Sequence, residues 1–438
     1  MTDHQFNIFM RITLTQLRNT ILVTALMLLS GGGGWWWGQH QLKITSERKI
    51  PSVEIINRAV PVDKQDVDFS LFWEVWDRLE QGFLFQEKVN HQKMVMGAIA
   101  GMTAALDDPY TAFFAPADNK TAKENLNGAF EGVGIQLGFK KLDGTNQLAV
   151  MSPLSGMPAE KAGVKAGDYI LKIVDESKGV NKETGSMSLP EAVEIIRGKK
   201  GTAVKLTLFT EGDKEPRVVE VNRDTIIVPS VEVKFGQVKD GQWQEDREGP
   251  IAWLKLTRFG GLTDEQWDKA VSEITNKGKN LRGVVLDLRN NPGGYLDGAV
   301  NLSGEFLPKG TLVVKQEHTG QPTQEYSVTR IGRLTQTPLI VLINKGSASA
   351  SEILAGALRD HNRAKLVGET SFGKGTIQEA EDLRGGAGLH LTVARWLTPN
   401  GNWVHEKGLT PDVVIEPDKD KPTLDLPLTK AAEILLKD

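Results

Sequence analysis

The sequence predicts an α/β core, built on a mixed, largely parallel sheet with helices, preceded by an inserted α+β unit. Ahead of these it predicts an N-terminal helical segment and a single transmembrane anchor. Three observations carry this reading. From residue 251 onward, short apolar runs alternate with helical periods, the pattern of strands joined by crossover helices. Residues 128–224 are mostly strand-like, with one short and one longer helical stretch. Residues 20–37 carry no charge over a length able to cross a bilayer.

Composition narrows the function classes. At 438 residues the chain suits two or three domains with sizeable cores. Hydrophobic content of 39% and charged content of 25% are ordinary for a globular protein. A net charge of −4 without a basic stripe gives no nucleic-acid signature. The chain has no cysteine, which excludes thiol catalysis, disulfides and thiolate metal sites. Its seven histidines are scattered without ligand spacing, so neither a metal nor any other cofactor is expected.

Residues 1–40 read as a signal-anchor. Arg11 and Arg18 precede the uncharged run, and Trp35, Trp36 and Trp37 suit the far interface. A cleaved signal peptide is the rival, but no convincing small-x-small site precedes the tryptophans. Either way the body is expected outside the cytoplasm, with the anchor as its membrane contact. Residues 41–66 read as a linker or stalk. In 67–127, Leu71, Phe72, Val75, Trp76 and Leu79 repeat at helix spacing, and a second helix fits 92–106 before the turn signal Asp107-Asp108-Pro109. These helices suit a lid or a dimerisation arm, so a homodimer is among the expectations.

Residues 130–137 read FEGVGIQL. Gly132 and Gly134 allow a tight turn before a strand that starts at Ile135. Successive N–H groups in such a loop form a nest able to capture a terminal carboxylate, and the strand edge beyond it can accept an extended peptide. A glycine turn over 157–168, a strand over 169–174, a helix over 188–197 capped by Ser188 with Pro190 in its first turn, and strands over 203–209 and 217–221 complete the unit.

The core begins with a strand over 251–259 and a helix over 263–276 that puts Trp267, Ala270, Val271 and Ile274 on one face. A buried strand over 283–288 ends in DLRNNPGG, and a helix follows over 297–306. The apolar run 338–343 stops at Asn344, and Ser347, Ser349 and Ser351 lie at alternate positions beyond it. From Ser351 the period is helical, with Glu352 in the first turn, where negative charge is favoured. A strand over 364–367 leads into GETSFGKGT, and a strand over 389–396, a GLTPD turn at 408–412 and a last helix over 429–436 close the chain.

A serine on a sharp strand-to-helix turn exposes its hydroxyl beside N–H groups able to hold an oxyanion. It needs a base. His361 reads as a solvated turn residue, whereas Lys374 is flanked by Gly373 and Gly375 and has room around its amine. A free lysine is almost wholly protonated at neutral pH, and making it half neutral takes a shift of about 3 units, roughly 4 kcal/mol, which burial can supply. Gln378, four residues on in an extended segment, would project from the same face and could aim the amine. Both the 290–294 loop and the serine turn end apolar strands, so the N–H of Ala350 and that of Gly293 or Gly294 could form an oxyanion hole. Asp287 and Arg289 read as an ion pair locking this loop. The stretch 368–376 misses a phosphate-binding loop, because Gly375 stands where Ser or Thr is required and no helix pattern follows.

SASASE with FGKG and a glutamine four residues later, together with LDDPYT, DLRNNPGG and GLTPD, resembles the carboxyl-terminal processing peptidases, or tail-specific proteases. These are Ser–Lys serine peptidases with a PDZ domain. The resemblance covers roughly residues 65–416. It implies Ser349 as nucleophile, Lys374 as base and Gln378 as its orienting residue. It further implies a PDZ domain over 128–224 with Gly132, Val133, Gly134 and Ile135 as the carboxylate-binding loop, and a peptidase core over 225–420. Residues 421–438, outside the resemblance, read as a C-terminal tail. The expected partners are proteins or peptides with accessible carboxyl termini. The alternative is a catalytically silent, membrane-tethered PDZ adaptor, against which the intact Ser–Lys pair argues.

Overall fold

The computed structural model describes residues 67–416 and 424–437, together with the backbone of two short strands, Leu42–Thr45 and Ser52–Ile55. The chain divides into two units, Met1–Met94 and Val95–Asp438. In the first, the two short strands pair antiparallel. The helix Ser70–Gly82 buries none of its residues, and its Phe72 and Trp73 rings meet edge-on at 5.0 Å. A second helix spans His91–Ala104. No helix among the described residues is long and apolar enough to cross a membrane. Residues 20–37, read as an anchor, lie outside the described residues.

In the second unit, the inserted module is an antiparallel sheet of six strands. Its order runs Arg217–Asn222, Ala203–Phe209, Tyr169–Asp175, Thr145–Pro153 and Ile135–Leu142, with Val180–Glu183 added to Tyr169–Asp175. Leu148, Ile170 and Leu206 are fully buried beneath the helix Leu189–Ile196. That helix starts as its sequence dictates, with the Ser188 side chain accepting from the Glu191 N–H and proline in the first turn. Entry and exit strands, Ala129–Gly132 and Asp224–Ile227, pair with each other and form a two-stranded neck. Beside it the buried Arg223 meets Asp175 at 2.6 Å.

The core holds two sheets. The larger runs Gln242–Glu245, Val231–Lys239, Ile251–Leu256, Gly283–Asp287, Leu339–Ile343, Lys365–Gly368, Val413–Val414. From Ile251–Leu256 onward its pairings are parallel, and the first two are antiparallel. The second sheet, which contains Leu312–His318, Gly388–Leu397 and Thr376–Asp382, is wholly antiparallel. The expectation of a largely parallel sheet is thereby corrected: strand pairing among the described residues is mostly antiparallel. The physical reason is burial. Parallel strands covered on both faces read as continuous apolar runs, and Gly283–Asp287 and Leu339–Ile343 are buried at every position. Thr376–Asp382 (TIQEAED) is exposed over its second half and gives no such signal.

The large sheet alternates its faces as a β-period requires. Leu254, Val284, Leu286, Val341 and Ile343 pack with the helices Thr263–Asn276, Leu296–Ser303 and Ala350–Asp360. Ile251, Val285, Ile340, Leu342 and Val367 face the opposite way, onto Leu428, Ala431, Ala432 and Leu435 of the C-terminal helix Leu426–Lys437. Losing a buried leucine such as Leu435 to alanine costs about 2–5 kcal/mol in such cores. A further helix, Pro116–Asn127, starts on a proline and stops at Gly128.

Candidate active site

Gly283–Asp287 and Leu339–Ile343 are parallel neighbours, so the loops leaving their carboxyl ends meet. The three serines are then unequal. Ser347 is fully buried and donates to the Leu288 carbonyl at 2.8 Å. Ser351, also fully buried, donates to the Asn291 and Ala348 carbonyls. Both stitch the serine turn to the 288–291 loop. Ser349 stands between them, half exposed, at the N-cap of Ala350–Asp360, with φ of 55° and ψ of −118°. A non-glycine residue held in that region is strained, as in other nucleophile-bearing turns. Ser349 and Glu352 form a capping box in which the Ser349 side chain faces the Glu352 N–H, and the hydroxyl donates to no carbonyl or carboxylate of the described residues.

The 290–294 loop backs directly onto this turn. A Cβ on Gly293, whose φ is +100°, would stand 2.8 Å from the Ala348 carbonyl oxygen and 2.9 Å from the Ser349 Cβ, so only glycine fits. The Gly293 N–H is spent on the Asn291 side chain at 2.9 Å. Among the described residues, neither the Gly294 N–H nor the Ala350 N–H gives a backbone hydrogen bond. These two donors are free for a developing negative charge.

Glu352 joins the serine turn to the lysine loop. Its Oε2 accepts the N–H groups of Ser349 (2.8 Å) and Lys374 (2.9 Å), and its Oε1 accepts the Ser371 hydroxyl (2.6 Å) and the Gly373 N–H (2.7 Å). The residue is fully buried. Burial pushes its carboxyl above the usual glutamate value, against these hydrogen bonds, which favour the ionised form. The other side of the lysine loop is held by two indoles. Trp396 donates to the Lys374 carbonyl and Trp403 to the Gly375 carbonyl, each at 2.9 Å.

The backbone of Lys374 is thus fixed on both sides, while its amine lies over the Tyr110 ring, 4.8 Å from the centroid. Burial pushes its pKa below the usual lysine value, and the Asp108 carboxylate opposes the shift. Asp108 is itself held in the turn by the Tyr110 N–H at 3.0 Å and the Thr111 hydroxyl at 2.7 Å. Gln378 lies elsewhere in the hydrogen-bond network: its Nε2 donates to Thr376 and Thr392 Oγ1, each at 3.0 Å. A bulge between Ile377 and Gln378 breaks the strict alternation on which the same-face argument rests. His361 gives its Nε2 to the Leu312 carbonyl at 2.7 Å and is partly buried, not solvated. Beyond Lys374 the chain is a strand, Thr376–Asp382, not the helix of a phosphate-binding loop.

In the module, Val133 is buried, and its carbonyl and that of Gly134 accept from Ala159 and Leu154, each at 2.9 Å. A Cβ on Gly134 would stand 2.5 Å from the Met157 Cβ. The Val133 and Gly134 N–H groups donate no backbone bond among the described residues. Gly132 ends the neck strand, and Ile135 opens Ile135–Leu142, the edge strand of its sheet.

Sequence reasoning missed Asp108 and Tyr110 as neighbours of Lys374. It took Glu352 for a first-turn charge, although S-x-x-E spells a capping box and could have revealed its bond to the Ser349 N–H. It also left unread Asp425, which shares Arg289 with Asp287.

Comparison with known proteins follows the same division. Residues 250–415 match the model of peptidase family S41, residues 124–209 the PDZ domain, and residues 27–119 the N-terminal domain of the activating protease CtpB. These matches define a serine-type peptidase carrying a PDZ domain. The chain is 38% identical over 344 residues to the carboxy-terminal processing protease CtpA of Bacillus subtilis, covering 78% of this chain and 68% of that one. It is 34% identical over 377 residues to the carboxyl-terminal-processing protease of Synechocystis, covering 86% and 82%. A solved photosystem II D1 C-terminal processing protease aligns over 84% of this chain and 93% of its own, at 29% identity and a TM-score of 0.45. The chain belongs to the carboxy-terminal processing protease family.

Proposed function

We propose that this chain is an endopeptidase that cuts proteins near accessible carboxyl termini through a Ser349–Lys374 dyad. One observation carries the reading: of three alternating serines, Ser349 alone stands at a positive-φ helix start with a hydroxyl that donates to no carbonyl of the described residues, and a single carboxylate, Glu352, binds its N–H and that of Lys374. In this mechanism Lys374 takes the Ser349 proton as the hydroxyl attacks the scissile carbonyl. The tetrahedral oxyanion is held by the N–H groups of Ala350 and Gly294. It collapses to the acyl-enzyme as the C–N bond breaks and the Lys374 ammonium gives its proton to the leaving amine. Lys374 then takes a proton from the attacking water and returns it to the Ser349 oxygen as the ester bond breaks. Gly293 supports the turn by close packing. Before acting as base, Lys374 leaves the Tyr110 ring, and Gln378 is the residue that would receive and aim it. The tail carboxylate binds at the loop of Gly132, Val133, Gly134 and Ile135, and the extended peptide adds to the edge strand Ile135–Leu142.

The test compares wild type, Ser349→Ala and Lys374→Ala on unfolded proteins that differ only in an apolar or a charged carboxyl-terminal tail. Cleavage by wild type alone, faster with the apolar tail, is expected. Cleavage that survives Ser349→Ala moves the chemistry to another residue and overturns the mechanism.

A further inference from the structure

A cavity of about 480 Å³ opens beside the 292–294 loop, under the helix Pro116–Asn127. Ala122, Leu126 and Pro292 give it apolar walls, and Arg258 and His390 supply its ionisable groups. Arg258 leaves the parallel strand Ile251–Leu256 at its carboxyl end, where ligands of such sheets are met.

Its guanidinium is under-used. It has five N–H donors, yet its one side-chain hydrogen bond among the described residues runs from Nη1 to the Asn125 carbonyl at 2.7 Å. No carboxylate of the described residues pairs with it. Other buried or partly buried arginines are satisfied: Arg289 by Asp287 and Asp425, Arg223 by Asp175, the Thr202 hydroxyl and three carbonyls, Arg363 by the carbonyls of Phe306, Leu334 and Thr337. Burial lowers the Arg258 pKa, and no neighbouring acid offsets the effect. His390 is held below the usual histidine value by burial and by the Lys374 charge, and an imidazole offers the guanidinium no negative charge in either protonation state.

We infer that Arg258 is the specificity residue of this pocket and takes a carboxylate carried next to the scissile bond. The inference rests on the proposed peptidase function. Gly293 and Gly294 line the same cavity, so a substrate carbonyl seated at that loop brings its flanking side chain or chain end to the guanidinium. The apolar walls strip water from the pair and strengthen it, and the remaining donors of Arg258 match a carboxylate fork. The carboxylate has two sources, an Asp or Glu side chain flanking the bond or a free chain end one residue beyond it.

The experiment uses the full chain and one unfolded protein with a fixed tail, in which each residue flanking the cleaved bond is set in turn to Glu, Gln or Lys. Short substrates ending one residue past the bond, as free acid or amide, form the second arm. Wild type, Arg258→Gln, Arg258→Glu and Arg258→Lys are compared by the ratio of kcat/KM for acidic over neutral substrates. Loss of folded enzyme cancels in that ratio. A charge-assisted pair predicts a ratio of about 10-fold or more in wild type. The ratio should fall to about one in Arg258→Gln, be inverted in favour of Lys in Arg258→Glu, and be partly restored in Arg258→Lys. A response confined to the side-chain arm or to the free-acid arm identifies the source. Efficient cleavage with equal rates for Glu, Gln and Lys and for acid and amide overturns the inference and leaves the peptidase standing. A preference unchanged in Arg258→Glu overturns it too. No cleavage of any substrate by wild type overturns the peptidase reading and this inference with it.

Discussion

Glu352 binds four donors with two oxygens, and all four belong to the two backbone segments that carry Ser349 and Lys374. In Glu352→Gln one oxygen becomes an NH₂ group facing donors, leaving buried N–H groups unpaired at about 1–3 kcal/mol each. We expect kcat to fall by roughly ten-fold to a hundred-fold, with a lowered Tm, and steady-state kinetics beside thermal unfolding checks both. A variant as active as wild type would show that the two segments hold their geometry without this carboxylate. Lys374 provides the pH prediction. The rising limb of kcat/KM against pH reports the base of the free enzyme. Burial lowers the Lys374 pKa, and the Asp108 charge favours its ammonium form. Asp108→Asn removes the opposing charge, so the Lys374 pKa drops further and the limb moves to lower pH. A limb that moves to higher pH would assign it to another group. These partners were not legible in the sequence. Asp108 and Tyr110 stand more than 260 residues before Lys374, in a stretch that reads locally as a turn and whose LDDPYT motif does not say what it faces, whereas the serine turn and FGKG are short contiguous patterns whose chemistry is local.

The elements divide along the same line. Strands buried on both faces and helices with one apolar face announce themselves, which is why Gly283–Asp287, Leu339–Ile343 and Thr263–Asn276 were readable. Of the second sheet, Gly388–Leu397 was readable as a strand over 389–396, but its partner was not: Thr376–Asp382 presents mostly polar residues, and their pairing is set by a register the local pattern does not carry. The C-terminal helix was visible by period, but its placement was not, because it depends on a pair far apart in sequence. Asp425 caps it through the Leu428 N–H at 3.1 Å and meets Arg289 at 2.7 Å, while Arg289 meets Asp287 at 2.6 Å. The residue after Arg289 begins the loop that ends at Gly294. Losing an aspartate cap costs about 1–2 kcal/mol, and Asp425→Ala also strips one partner from a partly buried arginine. We expect a lower urea midpoint and a several-fold lower kcat with little change in KM, restored in large part by Asp425→Glu. A changed KM at constant kcat would locate the effect in substrate binding instead.

On the scale of the molecule, the PDZ domain joins the core at its neck, and an arginine contact beside the neck reaches the helix Pro116–Asn127. Entry and exit strands pair as a neck. Arg197, at the carboxyl end of the helix Leu189–Ile196, stacks on Phe130 of that neck at 4.3 Å and reaches Glu124 at 3.3 Å. Glu124 belongs to Pro116–Asn127, the same helix whose Asn125 carbonyl holds Arg258 and whose Leu126 carbonyl would stand 2.1 Å from a Cβ on Gly260. A tail docked along Ile135–Leu142 would be felt by the neighbouring helix, and Arg197 is its contact with the core side. If this contact carries the coupling, Arg197→Ala leaves the affinity for a tail peptide unchanged but reduces the acceleration that an apolar tail confers on cleavage. A half-buried ion pair contributes on the order of 1 kcal/mol, so the ratio of apolar-tail to charged-tail rates should fall by roughly five-fold. Tail affinity is read by calorimetry on the Ser349→Ala background, and cleavage with Ser349 intact. Weaker tail binding with an unchanged rate ratio would make Arg197 part of the tail site. Unchanged affinity with an unchanged ratio would route the coupling through the neck strands alone.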